Sequence, residues 1–179
     1  MVDCKYIKVS GNGGGQQYGI DIRGRNNDTL WNGGFGINIS GKSKCVEISN
    51  VQIRNMGIGI KVGTNGDCDD SYNFPNWTID SISIHDNKIV KIWNEGMYLG
   101  NTSPDNTVNG YDPRPLNCNG QITYPKPARR GNIKVYNNFV DSTGRGGIQL
   151  AAASTGMSEI YNNVVMHNGM NGDDAQGTA

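Results

Sequence analysis

Three groups of side chains in this sequence carry atoms that chemistry could use. The densest acidic cluster is Asp67-Cys-Asp69-Asp70. Carboxylates at alternating spacing in a Gly-containing loop can hold calcium through hard oxygen ligands, although the EF-hand spacing is absent and acids in a loop are often only solvated. Asp173-Asp174 is a weaker pair of the same kind. The second group is aromatic: His85, Tyr136 and Tyr161, with Tyr98 in Gly96-Met-Tyr-Leu. Flat rings in a row stack against sugars, or against one another across neighbouring strands. The third group is positive: Lys126, Arg129, Arg130 and Arg145, with Arg114 in the same long stretch. Such cations either steady a developing negative charge or form an ordinary basic turn.

Other chemistries have less material. Glycoside hydrolysis needs two carboxylates flanking one bond. Asp86, Glu95 and Asp141 are available, but they read as bend and turn residues and no spacing pairs them. His85 and His167 are the only histidines, which leaves little for a Ser-His-Asp arrangement. No Gly-x-Ser-x-Gly elbow, phosphate loop or zinc-protease motif occurs. Gly11-Asn-Gly-Gly-Gly15 is a turn between strands, since no helix follows it. The formal net charge is zero, so no basic face points to nucleic acid. Apolar runs fall well short of the roughly 18 residues a membrane-spanning helix needs.

The elements that must position these residues are repeats of short strands. The chain has 179 residues, 26 of them Gly, and only 35% hydrophobic residues. That composition suits a solenoid, in which each coil buries a thin slice of apolar side chains against the next. Four segments share one pattern: Val46-Glu-Ile-Ser-Asn-Val-Gln-Ile53, Ile82-Ser-Ile-His-Asp-Asn-Lys-Ile89, Ile133-Lys-Val-Tyr-Asn-Asn-Phe-Val140 and Ser158-Glu-Ile-Tyr-Asn-Asn-Val-Val165. Alternation at period two means strand. The polar break carries Asn50, Asp86-Asn87, Asn137-Asn138 and Asn162-Asn163. Asn tolerates the left-handed backbone of a sharp bend, and stacked Asn side chains form hydrogen-bonded ladders. Val51 stands where the first segment would carry its second Asn, so the ladder is expected to be incomplete. The alternation predicts that Ile84, Ile89, Val135 and Val140 point inward and that Ser49, His85, Tyr136 and Tyr161 form one outward row.

A second strand is expected after each bend, in Tyr18-Gly-Ile-Asp-Ile, Phe35-Gly-Ile-Asn-Ile, Gly57-Ile-Gly-Ile-Lys-Val, Gly96-Met-Tyr-Leu and Gly147-Ile-Gln-Leu, with Gly marking a corner. Long Gly/Asn/Asp/Pro-rich loops are expected at about 24–34, 63–77 and 100–132, and loops of that length are often functional. The four cysteines, Cys4, Cys45, Cys68 and Cys118, form no CxxC pair. An even count favours disulfides and an oxidising compartment. Cys68 and Cys118 occupy the two longest loops at equivalent corners, which favours their pairing, and Cys4 with Cys45 is the remaining expectation. Neither end shows a recognisable solenoid cap, and the opening MVDCKYIKVSG lacks the layout of a signal peptide. The reading is one β-helix segment, 1–179, of a longer solenoid; if the protein is secreted, its signal lies upstream of this segment or has been removed.

The pattern Ile-x-Ile-x-Asn-Asn-x-Val followed by Gly-Ile-x-Leu resembles the parallel β-helix repeats of the pectate-lyase-like superfamily, across nearly the whole chain outside the long loops. The resemblance implies an all-β fold, a right-handed parallel β-helix solenoid with long loops on one side. It also implies a secreted or surface bacterial protein acting on polysaccharide. Several lyases of that superfamily use calcium against the uronate carboxylate, and the base in these folds is often Arg or Lys. That would make Arg129, Arg130, Lys126 and Arg145 candidate catalytic residues, His85, Tyr136, Tyr161 and Tyr98 candidate sugar contacts, and Asp67, Asp69 and Asp70 candidate calcium ligands. No lyase signature matches residue by residue, and fold does not fix activity. Noncatalytic polysaccharide binding, adhesion and a structural stalk stay open.

Overall fold

The structure is a computed structural model and describes residues 1–24, 34–101 and 115–171. The chain winds in coils of three short strands. The first coil is β1 (Lys5–Ser10), β2 (Ile20–Arg23) and β3 (Phe35–Ile39). The second is β4 (Lys44–Ser49), β5 (Val51–Met56) and β6 (Ile58–Val62), and the third is β7 (Thr78–His85), β8 (Lys88–Ile92) and β9 (Met97–Leu99). A small hairpin follows, β10 (Leu116–Cys118) and β11 (Gln121–Thr123). The fourth coil is β12 (Arg129–Tyr136), β13 (Phe139–Thr143) and β14 (Ile148–Leu150). β15 (Glu159–Tyr161) and β16 (Val164–Met166) open a fifth.

Apart from the antiparallel β10–β11 hairpin, each strand pairs in parallel with its counterpart one coil away. The first sheet runs β1-β4-β7-β12-β15, the second β2-β5-β8-β13-β16 and the third β3-β6-β9-β14. This is the expected parallel β-helix solenoid. It differs from the expectation in having three strands per coil, because the Asn bend divides each apolar segment between two sheets. Tyr18–Ile22 accordingly joins the post-bend strands, Ile20 pairing with Val51, and not the strands that begin at Gly57, Gly96 and Gly147.

The register stacks like on like. Ile48, Ile84, Val135 and Ile160 form one inward column, and Ile53, Ile89, Val140 and Val165 another. Ile84, Ile89, Val135 and Val140 are wholly buried, as the alternation predicts. Burying each such side chain is worth about 1.5–3 kcal/mol. At the corner between second and third sheets, a Cβ on Gly59 would lie 2.3 Å from the Gly96 carbonyl, and one on Gly96 2.5 Å from the Gly147 carbonyl. Only glycine lets successive backbones approach so closely there.

The bends are left-handed at Asn50, Asp86, Asn137 and Asn162, with φ of 55°, 55°, 54° and 53°. Beside them runs the ladder. Asn87 Oδ1 accepts from the Val51 N–H (3.0 Å), Asn138 Oδ1 from Asn87 N and Nδ2 (3.1 and 3.0 Å), and Asn163 Oδ1 from Asn138 N and Nδ2 (3.0 and 2.9 Å). Val51 contributes no side-chain acceptor, so the ladder stops there.

Two further columns of left-handed residues were not expected. Tyr6, Cys45, Ser81 and Asn132 lie along the first sheet, and Asn55, Lys91, Ser142 and His167 at the end of the second. The expected loop 100–132 contains the β10–β11 hairpin, and its last residues from Arg129 belong to β12. Cys68 and Cys118 are joined, tying the loops of consecutive coils. Cys4 and Cys45 are free thiols, contrary to expectation. The register pairs Lys5 with Lys44, which sets Cys4 beside Ser43 and Cys45 beside Tyr6. The Cys4 thiol bonds the Ser43 hydroxyl instead, at 3.4 Å.

Candidate functional site

The expected rings do form a row, and they spend their faces on one another. His85 stacks on Tyr136 at 4.6 Å between centroids, and Tyr136 on Tyr161 at 5.1 Å, with ring planes within 3°. The register that pairs Ser49 with His85, His85 with Tyr136 and Tyr136 with Tyr161 fixes this column. His85 is held further by Asp86 Oδ2 at Nδ1 (2.7 Å) and Glu47 Oε1 at Nε2 (3.2 Å). The bond to Lys8 and the His85 contact hold the Glu47 carboxyl below its ordinary range. Along the same outer face Lys8 meets Glu47 at 2.9 Å and Lys134 meets Glu159 at 2.9 Å. The first sheet therefore presents paired charges and mutually stacked rings. Of the three rings, Tyr136 is stacked on both faces, while His85, beside Ser49, and Tyr161, in the last coil, each stack on one.

The acidic loop is built as a turn. Asp67 Oδ1 accepts from Asp69 N (2.9 Å), and Asp69 Oδ1 from Ser71 N (2.9 Å), capping the short 3-10 turn Asp70–Tyr72. The Asp70 carboxylate accepts from Asn73 Nδ2 (3.3 Å) and Asn76 Nδ2 (2.7 Å). The Ser71 bonds lower the Asp69 pKa. Among the described residues, no group of three or more His, Cys, Asp or Glu is placed to hold a metal ion. Asp173 and Asp174 lie outside the described residues.

The four cations fall at two different corners. Arg129, Arg130 and Lys126 are where the third sheet returns to the first. Arg129 Nη1 bonds Ser154 Oγ (3.0 Å), and its guanidinium lies 4.4 Å from the centre of the Phe74 ring. Lys126 is exposed, and its carbonyl accepts from Phe74 N (3.0 Å). Arg130 is wholly buried. Its Nη1 donates to the Ala128 carbonyl (2.6 Å), while Nε and Nη2 are buried without partners. Burial pushes this guanidinium down to about 10, against a smaller opposing effect from Tyr98. β12 begins at Arg129, so alternation turns Arg130 inward, where it cannot reach a polymer on the surface. Arg145 is at the corner between second and third sheets, 3.6 Å from the buried Glu95. Arg114 lies outside the described residues.

The hydrolase carboxylates are likewise dispersed. Asp86 serves His85 at the Asn bend, Glu95 faces Arg145, and Asp141 on the second sheet accepts from His167 at 2.7 Å.

The third sheet lies between the two cationic corners. Its strands align Asn38 with Lys61, Lys61 with Tyr98, and Tyr98 with Gln149, one outward side chain per coil. The Lys61 ammonium sits 4.8 Å from the centre of the Phe35 ring. Asn38 Oδ1 is buried without a hydrogen-bond partner. Of this row only Tyr98 was expected as a contact. The signal for the others was present in the triplets Ile37-Asn-Ile, Ile60-Lys-Val and Ile148-Gln-Leu, each a polar residue between two inward ones.

No helix among the described residues is long and apolar enough to cross a membrane. No family model, no curated protein and no solved structure matches the chain.

Proposed function

We propose that this solenoid is a secreted or surface protein that binds an acidic polysaccharide along the outer face of the third sheet. The observation that carries the reading is the aligned row Asn38, Lys61, Tyr98 and Gln149, bounded by Arg129 at one corner and Arg145 at the other. A polymer lying along the solenoid axis meets one polar or aromatic side chain per strand spacing, about 4.8 Å. Cations on both flanks favour a polyanion over a neutral glycan. The disulfide between Cys68 and Cys118 fits an oxidising compartment. The resemblance of the Asn-bend repeats to pectate-lyase-like proteins supports the same substrate class.

Binding is favoured over cleavage because the candidate bases are separated. Arg130 is sealed inside the coil, and Arg129 and Arg145 are held at opposite edges of the sheet. A lyase needs its base and its charge stabilisers around one proton.

The test is affinity electrophoresis against pectate, alginate, a glycosaminoglycan and a neutral glucan, with and without calcium. Ultraviolet absorbance for unsaturated sugar ends is followed in parallel. Retardation by the acidic polymers alone, weakened in Tyr98→Ala and Lys61→Ala, with flat absorbance, is the expected result. Retardation by none of them would sink the reading. A calcium-dependent rise in absorbance would replace binding with a lyase, and would return attention to Arg129 and to Asp67, Asp69 and Asp70 as calcium ligands.

A further inference from the structure

Arg130 is a charge sealed inside the coil, in the corner where the third sheet returns to the first. Its Nη1 donates to the Ala128 carbonyl, while Nε and Nη2 are buried without partners. Trp77 stands in the same corner, two residues before Ile79, the strand partner of Arg130. Its indole Nε1 is also buried without a partner. Every unmet group here is a donor. A guanidinium keeps its charge at neutral pH, so it cannot escape the cost of burial by losing a proton. Water would satisfy each of these donors, and its exclusion opposes the closed corner.

Two loops do the excluding. From the first, residues 63–77, Gly63 lies against the guanidinium so closely that a Cβ would collide with Nη2. From the second, which ends at β12, Ala128 supplies the one carbonyl that Arg130 bonds. The loops also hold each other. Gly66 packs on Pro125, leaving no room for a Cβ, and the Phe74 N–H donates to the Lys126 carbonyl at 3.0 Å. The Phe74 ring lies against Arg129.

The disulfide between Cys68 and Cys118 is the covalent tie between these same two loops. It removes conformational freedom that the loops would gain on parting, so it works against the hydration of Arg130. Cys68 is exposed, within reach of a thiol. The inward columns of Ile and Val, by contrast, are closed by strand pairing and need neither loop.

We propose that Cys68–Cys118 is a redox latch: a dithiol reductant opens it, the two loops part, and Arg130 passes from the sealed corner into water while the coils stay folded. A thiolate of the reductant attacks Cys68 Sγ, the bond between the two sulfur atoms breaks, and its electron pair leaves on Cys118, which takes a proton from solvent. Thr123 Oγ1, 3.3 Å from Cys118 Sγ, is placed to donate to that leaving thiolate. The second thiol of the reductant then displaces Cys68, so the reductant ends as a disulfide and the protein as two thiols.

The test compares the intact protein before and after dithiothreitol. Arginines are labelled with p-hydroxyphenylglyoxal and located by mass spectrometry, and backbone hydrogen exchange is followed in parallel. Arg130 should label about tenfold faster or more after reduction, because its protection then tracks a local opening. Arg23, exposed from the start, should not change. Exchange should quicken at Phe74 and Trp77, whose amides donate to Lys126 and Asn73, and stay slow at Ile89 and Val140. In Arg130→Met, which lacks the charge that draws water in, reduction should leave the Phe74 and Trp77 amides slow. Arg130 equally protected after reduction, or equally reactive before it, overturns the proposal. So does exchange at Ile89 and Val140 that rises together with Phe74, which would make the bridge a support of the whole fold. Opening of Arg130→Met to the same extent as the unsubstituted protein overturns it as well.

Discussion

Replacing Asn87 by alanine tests the ladder where it is most deeply buried. The side chain is wholly inaccessible and makes three hydrogen bonds. Its Oδ1 accepts the Val51 N–H, and its Nδ2 donates to the Ile48 carbonyl and to Asn138 Oδ1, each at 3.0 Å. Alanine leaves the Val51 N–H buried with no acceptor, at a cost of about 1–3 kcal/mol. The two donated bonds add about 0.5–1.5 kcal/mol each, and the Asn138 oxygen still accepts from Asn87 N. The sum centres on about 4 kcal/mol, a large part of the roughly 5–15 kcal/mol by which domains are stable. Urea unfolding followed by circular dichroism should show a midpoint lower by about 2 M with an unchanged slope. Asn163→Ala, at the exposed end of the ladder, should cost about 1 kcal/mol in the same assay. A loss below about 1 kcal/mol for Asn87→Ala would refute the ladder as a source of stability, because a buried orphan donor cannot be that cheap.

Val135→Asp puts an unpaired charge into the inward column and should cost several kcal/mol, read as a large fall in melting temperature. Alkylation under nonreducing, denaturing conditions should label Cys4 and Cys45 and spare Cys68 and Cys118; replacing the bridge by two serines should cost about 4 kcal/mol for a closed loop of 50 residues. Lys91 is exposed with φ 55°, so Lys91→Asn should raise stability by about 0.5–1 kcal/mol in thermal melts. Asp21, Glu47 and Asp141 have pKa values lowered chiefly by Arg54, Lys8 and His167 respectively. Lowered carboxylates stabilise the fold above their unfolded values and lose that contribution as pH falls through the folded ones. Melting temperature should therefore decline below about pH 4, and the decline should be shallower in an Asp21→Asn, Asp141→Asn double variant.

Much of the architecture was legible because each coil repeats its demands. The inward Ile and Val residues, the Asn bends and the glycines at 57, 96 and 147 announce themselves at fixed spacing and reappear in the structure at their expected places, whereas Tyr18–Ile22 falls in the second sheet. Where different residues meet the same demand, the signal vanished. The left-handed columns through Tyr6, Cys45 and Ser81, and through Lys91 and Ser142, have no shared side chain and left no pattern to read. Arg130 illustrates a second limit. An arginine beside another arginine reads as surface charge, and only the start of β12 at Arg129 turns it into the coil. The candidate site was less legible than the fold. Tyr98 was singled out, but Asn38, Lys61 and Gln149 acquire meaning only when the register sets them beside it.

The bridge between Cys68 and Cys118 also fixes how this chain would respond to force. Pulled from its two ends, a coil stack unwinds a turn at a time, and each freed turn lengthens the tether. The bridged stretch is excluded from that lengthening, since tension passes through the sulfur atoms and bypasses the third coil. Reduction would release a hidden length of about 170 Å, 50 residues at some 3.4 Å each. The long loops thus double as a mechanical shunt, under which the middle of the solenoid carries no load while its outer turns yield.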